Sequence, residues 1–150
     1  MASVALDEPV SIDAPFQMVR TIAITSGGRY FLWLAFDRRD ATFERLRTLV
    51  GGAHGQTIEV GGALGDAGEP PGLRIPVWWS LQTQAGLPVA EAQGDVFGAN
   101  SWSSQEVCRL LYTGDLPAGQ YEFKATLAEG VGEFRGIRAR FRLEREPKLQ

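Results

Sequence analysis

The side chains best suited to covalent or acid–base chemistry in this sequence are its single histidine, His54, and its single cysteine, Cys108. An imidazole titrates near neutral pH and acts as a general base when a nucleophile lies beside it. The sequence has no Gly-x-Ser-x-Gly nucleophile motif, and His54 stands in a Gly-rich stretch. Cys108 follows the apolar Val107, whereas a reactive thiolate needs a helix N-terminus or a cationic neighbour. We expect a solvated histidine and a buried structural cysteine, and we predict no catalytic residue and no enzymatic activity.

Metal and cofactor sites have no better support in the sequence. One histidine and one cysteine are too few for a zinc site, which takes about three or four such ligands. The segment 53–72 offers Asp66 and Glu69 as oxygen ligands, without the convergent set that calcium requires. Gly61–Gly65 resembles a phosphate-binding loop, but Pro70 and Pro71 follow it instead of a helix. We predict neither a metal ion nor a cofactor.

The tryptophans are the first candidates for binding a partner. Trp78 points away from the inward row of its predicted strand, and Trp102 lies in a predicted loop at 99–102. Exposed tryptophan anchors protein interfaces, and β-sandwich modules that bind carbohydrate stack sugar rings on such side chains. Trp33 and Trp79 fall within apolar faces, so we expect both in the core. Trp78 and Trp102 are predicted partner-binding residues, with packing beneath a neighbouring loop or helix as the alternative.

A row of arginines is the second candidate. Arg138, Arg140 and Arg142 occupy alternate positions of the last predicted strand and should line one of its faces. On an edge strand, such a charged row prevents unwanted strand pairing. Alternatively, the guanidinium groups recognise the carboxylates of an acidic protein surface. We include these three residues in the predicted partner-binding set and leave both roles open.

The composition is that of one soluble globular domain spanning residues 1–150. The chain has 150 residues, 15 Lys and Arg against 18 Asp and Glu, and a net charge of −3. A non-specific nucleic-acid-binding protein would carry a strong basic excess, so we predict no nucleic-acid partner. No apolar stretch is long enough to span a bilayer. The first residues lack the basic and apolar regions of a signal peptide, and we expect a mature domain whose leader was removed.

Period-two alternation of apolar and polar residues dominates and predicts an all-β sandwich, immunoglobulin-like or jelly-roll. The predicted strands are 4–13, 16–24, 29–38, 73–82, 89–97, 121–127 and 137–143, with a further short strand at 57–60. Both faces of 29–38 are apolar, which predicts a central strand whose second face is covered by the segment that follows it.

Two short helices are predicted in the connections. The apolar spacing of 41–50 is helical, with Asp40 as the N-cap and Gly51 as the stop. Asp37 and Asp40 flank a pair of arginines, and we expect them to cap a helix or to form ion pairs. The second helix is predicted at 103–112, where Ser103 and Glu106 have the spacing of a capping box.

Several segments together resemble an uncharacterised bacterial family of small β-sandwich domains. They are Glu8–Asp13, Ser26–Tyr30, Ile75–Leu81, Ser101–Val107 and Leu116–Tyr121, which span nearly the whole chain. The matching residues form turns and strands and supply no catalytic residue. The resemblance implies a β-sandwich fold and a secreted or lipid-anchored envelope protein.

These observations lead to a specific functional hypothesis. We predict a non-enzymatic binding domain of the bacterial envelope or periplasm that acts through protein–protein contact. One version is an immunity or inhibitor protein against a delivered toxin. The alternative is a carbohydrate-binding module that uses an exposed tryptophan.

Overall fold

A computed structural model describes residues 4–51, 72–73, 75–96, 101–102 and 105–146. Within these ranges the strands are β1 Val4–Val10, β2 Phe16–Ile24, β3 Gly28–Asp37, β4 Ile75–Thr83, β5 Pro88–Val96, β6 Ser101–Trp102, β7 Glu106–Leu116, β8 Gly119–Leu127 and β9 Ala139–Arg145. Helix α1 is Phe43–Val50, and 3₁₀ helices lie at Arg38–Asp40 and Gly132–Phe134. The predictions for His54, the strand 57–60, the glycine run 61–65, Asp66 and Glu69 lie outside the described residues.

The strands form two antiparallel sheets that pack face to face. One has five strands in the order β1-β9-β3-β7-β6, and the other has four in the order β2-β8-β4-β5. The chain crosses between the sheets at every connection except β4–β5 and β6–β7. This arrangement is the jelly roll, one of the two sandwich types that the sequence predicts. No helix in the described part of the chain is long and apolar enough to cross a membrane.

The inner rows of the two sheets form the core, as the alternation predicts. The buried residues join into one hydrophobic cluster, to which β9 contributes Phe141 and β8 contributes Phe123. The ring centroids of these two residues lie 5.3 Å apart in an edge-to-face arrangement. Trp79 is buried on the same side, which confirms its predicted place in the core.

The prediction of a helix at 103–112 is wrong. Residues Glu106–Leu116 form β7, which pairs with β3 along its length. Ser103 is outside the described residues, and Glu106 begins a strand instead of completing a capping box. Cys108 is therefore a strand residue, although its predicted burial is confirmed.

Strand β3 is central, as predicted, but α1 does not cover its outer face. Leu46, Leu49 and Val50 of α1 join the inner core cluster. On the outer face, Trp33 is half-buried instead of lying in the core, and its Nε1 donates to Glu144 at 3.0 Å. The ring of Phe31 lies 5.8 Å from that of Trp33. Side chains of the same sheet, Phe31 of β3 itself and Glu144 of β9, thus contact Trp33 on this face.

The start of α1 also differs from the prediction. Thr42 is the N-cap, and its Oγ1 accepts from the Arg45 backbone N–H at 3.1 Å. The predicted cap, Asp40, instead binds Arg138. The predicted stop is confirmed, because Gly51 ends the helix with φ of 109°.

Candidate functional site

Trp78 lies on the outer surface of the four-stranded sheet. Its neighbours Val77 and Trp79 are buried, so the alternation of β4 directs Trp78 outward. Its side chain is 37 % exposed, whereas that of Trp79 is 3 % exposed. The orientation predicted from the sequence is therefore correct, and the indole is available to a partner.

The strand register defines the surroundings of this indole. Trp78 is directly opposite Thr126 of β8, which is opposite Gln17 of β2. In the next row, Val19 lies opposite Lys124 and is 53 % exposed. We call the surface formed by Gln17, Val19, Trp78, Lys124 and Thr126 the Trp78 face. It combines two exposed apolar side chains with amide, hydroxyl and ammonium groups.

The arginine row lies on the outer surface of the five-stranded sheet. Strand β9 pairs with β1 on one side and with β3 on the other, so it is an interior strand. The predicted role of the row in protecting a sheet edge is therefore wrong. Arg138, Arg140 and Arg142 do share one face, as their spacing predicts.

Each of these arginines forms an ion pair within the protein. Arg138 donates Nε and Nη2 to the two oxygens of Asp40, both at 2.9 Å. Arg140 donates Nη1 to Asp7 at 2.6 Å, and Arg142 donates to Glu106. These carboxylates offset the positive charge of the row predicted from the sequence.

The predicted partner-binding residues do not form a single patch. Trp78 and the arginine row occupy opposite outer faces of the sandwich. The prediction of a loop at Trp102 is wrong, because this residue is in β6 and pairs with Val107. Its side chain lies outside the described part of the chain. One flat partner surface can therefore contact Trp78 or the arginine row, but not both.

A polar pocket of about 230 Å³ opens beside the arginine row. We call it the arginine pocket: Ala35, Asp37, Arg39, Gln105, Glu106, Arg138 and Arg140 line it. Arg39 donates Nε and Nη2 to Asp37 at 3.1 Å and 2.8 Å. Asp37 also accepts from the Arg39 backbone N–H at 2.8 Å, which confirms that this carboxylate both caps a short helix and forms an ion pair.

Asp37 makes stability depend on acid pH. The hydrogen bond from the Arg39 side chain lowers the pKa of Asp37 from 3.8 to about 2. Its stabilising effect is fully present above the unfolded value and is lost as pH falls through the folded value. We expect wild type to be more stable than Asp37→Asn at about pH 6, and the two to converge at about pH 2. Urea denaturation at both pH values measures this, and an unchanged difference would contradict it.

Cys108 has the properties of a structural thiol. Burial, reinforced by the charge of Glu106, raises the pKa of Cys108 to about 12. A thiol with this pKa remains protonated at neutral pH and is a poor nucleophile. The structure therefore places no reactive thiolate at this position.

A shallow groove of about 560 Å³ lies between β1 and β2, at one side of the sandwich. Phe16, Met18 and Ile137 give it an apolar lining, and Arg20 and Arg138 add charge. Arg20 binds Glu8 of β1 at 2.7 Å and so links the two sheets at this side. The groove and the Trp78 face share one residue, Gln17, and are otherwise lined by different residues.

Comparison with known proteins supports the fold alone. The structure is similar to the crystal structure of a protein from Sulfurospirillum deleyianum, with a TM-score of 0.68 and 17 % identity over 95 % of this chain and 98 % of that one. A carbohydrate-binding module of Cellvibrio mixtus lichenase 5A, solved with cellotriose, gives a TM-score of 0.36 and 11 % identity over 99 % of this chain and 91 % of the module. No protein-family model and no curated protein matches the chain. The fold shared with the first protein is thus an all-β sandwich.

Proposed function

We propose that this β-sandwich is a non-enzymatic binding domain that contacts a protein partner through the Trp78 face. The exposed indole of Trp78 in the middle of a four-stranded sheet carries the proposal. Interfaces concentrate their binding energy in a few residues, among which tryptophan is enriched, and polar neighbours exclude water around them. Gln17, Lys124 and Thr126 are placed to form such a polar rim.

The cellular setting belongs to the same proposal. We place the domain in the bacterial envelope or periplasm, where it binds a single protein. In its most specific form, that partner is a toxin or hydrolase delivered to the periplasm, and the domain acts as its immunity or inhibitor protein. The resemblance to envelope-associated β-sandwich domains supports this setting.

The test is the affinity of the purified partner for two variants. A partner captured from lysates of the source organism and its competitors is purified, and its binding is measured by calorimetry. Trp78→Ala is expected to weaken binding by about 30-fold, the equivalent of about 2 kcal/mol. Leu87→Ala is the matched control, because Leu87 is 65 % exposed but lies in the β4–β5 turn. Equal affinity of Trp78→Ala and wild type would refute the proposed site.

Carbohydrate binding is the second candidate for the same face. The observation that favours it is a row of hydrogen-bonding side chains beside Trp78, with Thr126 directly opposite on β8 and Gln17 beyond it on β2. A sugar ring stacked on the indole would change its fluorescence. Saturable quenching by a glycan that is lost in Trp78→Ala would establish this function in place of protein binding.

A further inference from the structure

The arginine pocket brings three cations around one small cavity. Arg39, Arg138 and Arg140 line it together with two carboxylates, Asp37 and Glu106, and Ala35 of β3 lies beneath them. The lining thus has more guanidinium groups than carboxylates. The volume, about 230 Å³, is sufficient for a small polar ligand.

The carboxylates of the pocket are already engaged by arginines. Asp37 Oδ2 is shared by Nη2 of Arg39 at 2.8 Å and Nη2 of Arg138 at 3.4 Å. Glu106 is bound by Arg142. Because one carboxylate holds two guanidinium groups, two like charges are brought close together at the pocket wall.

Other carboxylates hold the arginines in position from outside the pocket. Asp40 binds Arg138 through two hydrogen bonds, and Asp7 of β1 binds Arg140. An arginine that is already held loses less conformational entropy when it binds a ligand. Arg138 and Arg140 are therefore held at the pocket by the protein itself.

We propose that the arginine pocket binds a small oxyanion, either a carboxylate or a phosphate group. A planar guanidinium group presents paired N–H donors that match the oxygens of both anions. The site lies on the opposite sheet from the Trp78 face and does not depend on the function proposed there.

NMR titration of the full chain tests this proposal. Inorganic phosphate and acetate are added separately, and sodium chloride at matched ionic strength is the reference. We expect saturable shifts of the backbone amides of Arg39 and Gln105 with at least one oxyanion. Shifts with phosphate alone assign the site to phosphate groups, whereas shifts with acetate assign it to carboxylates.

Two arginine variants and a matched control test whether oxyanion binding occurs at the arginine pocket. Arg140→Gln and Arg39→Gln should each weaken oxyanion binding by about tenfold or more, since each removes a charge-assisted donor. Arg20→Gln should bind like wild type, because Arg20 is 44 % exposed and paired with Glu8 much as the 41 % exposed Arg140 is paired with Asp7. Two outcomes would overturn the proposal: shifts that chloride reproduces, or equal binding by all three variants.

Discussion

Replacing Arg109 by methionine is expected to lower the free energy of unfolding by about 3 to 5 kcal/mol. Arg109 is a β7 residue with no exposed surface, and its guanidinium group lies inside the sandwich. Nη2 donates to the carbonyl oxygens of Leu49, Val50 and Leu73 at 3.2, 2.7 and 3.0 Å. Methionine fills much of the volume but donates nothing, so all three carbonyls would lose this donor. Among the described residues, only the carbonyl of Leu49 is shown with another donor, the Leu73 backbone N–H at 2.8 Å.

The position of these carbonyls explains why a cation is used. Leu49 and Val50 form the end of α1, where the last carbonyls of a helix have no partner within it and carry partial negative charge. The guanidinium group donates to both carbonyls, and that of Leu49 also accepts from the Leu73 backbone N–H. The same guanidinium group lies 6.0 Å from the ring of Phe36. Burial lowers the pKa of Arg109 to about 9, which leaves the group charged at neutral pH.

Denaturation in urea measures the free energy of unfolding of Arg109→Met, and two further variants serve as comparisons. Arg20→Met removes an exposed, ion-paired arginine and should change the free energy of unfolding by less than about 1 kcal/mol. Arg109→Lys keeps the charge but not the planar set of donors, so its stability should lie between those of wild type and Arg109→Met. If Arg109→Met loses no more stability than Arg20→Met, the hydrogen bonds from Arg109 to the backbone carbonyls do not stabilise the fold.

Alternation in the sequence predicts most strands and their inner faces, but it fails for β7 for a physical reason. Val107, Cys108 and Arg109 are buried in succession, so side chains on both faces of the strand are buried at this point. The register of β3 with β7 also shifts between Leu32 and Trp33. Two covered faces and a register shift remove the period of two, and the remaining apolar spacing imitates a helix.

The candidate sites show the same division between local and long-range information. The outward direction of Trp78 follows from its neighbours in β4 and is correctly predicted. The ion pairs of the arginine row depend on strand order, because Asp7 is 133 residues from Arg140 and Glu106 is 36 residues from Arg142. Periodicity assigns residues to faces but does not order the strands, so these pairs could not be predicted.

Replacing Gly72 by alanine is expected to lower the free energy of unfolding by about 2 to 4 kcal/mol, the second large effect. Gly72 has a φ of +84°, which a residue with a side chain rarely adopts. A Cβ atom there would lie 2.4 Å from the carbonyl oxygen of Val50 and 2.7 Å from Nη2 of Arg109. The substitution therefore strains the backbone and also displaces the main acceptor of the Arg109 side chain.

A matched glycine separates these two costs. Gly86 has a φ of +93°, and a Cβ atom there would meet nothing within 4 Å. Gly86→Ala should thus lower the free energy of unfolding by about 1 kcal/mol through backbone strain alone. Any larger loss in Gly72→Ala then comes from the collision of its Cβ atom with Val50 and Arg109. Equal losses for the two alanine variants would show that the neighbours of Gly72 move aside at little cost.

The double variant Gly72→Ala with Arg109→Met tests whether the two residues stabilise the same contact. If the collision acts by displacing the Val50 carbonyl from Arg109, the second substitution removes an interaction that the first has already broken. The double variant should then lose less stability than the two single losses added together, by about 1 to 3 kcal/mol. If the stability losses measured by urea denaturation are strictly additive, Gly72 and Arg109 stabilise the fold independently. The end of α1 would then tolerate the shift of its last carbonyl.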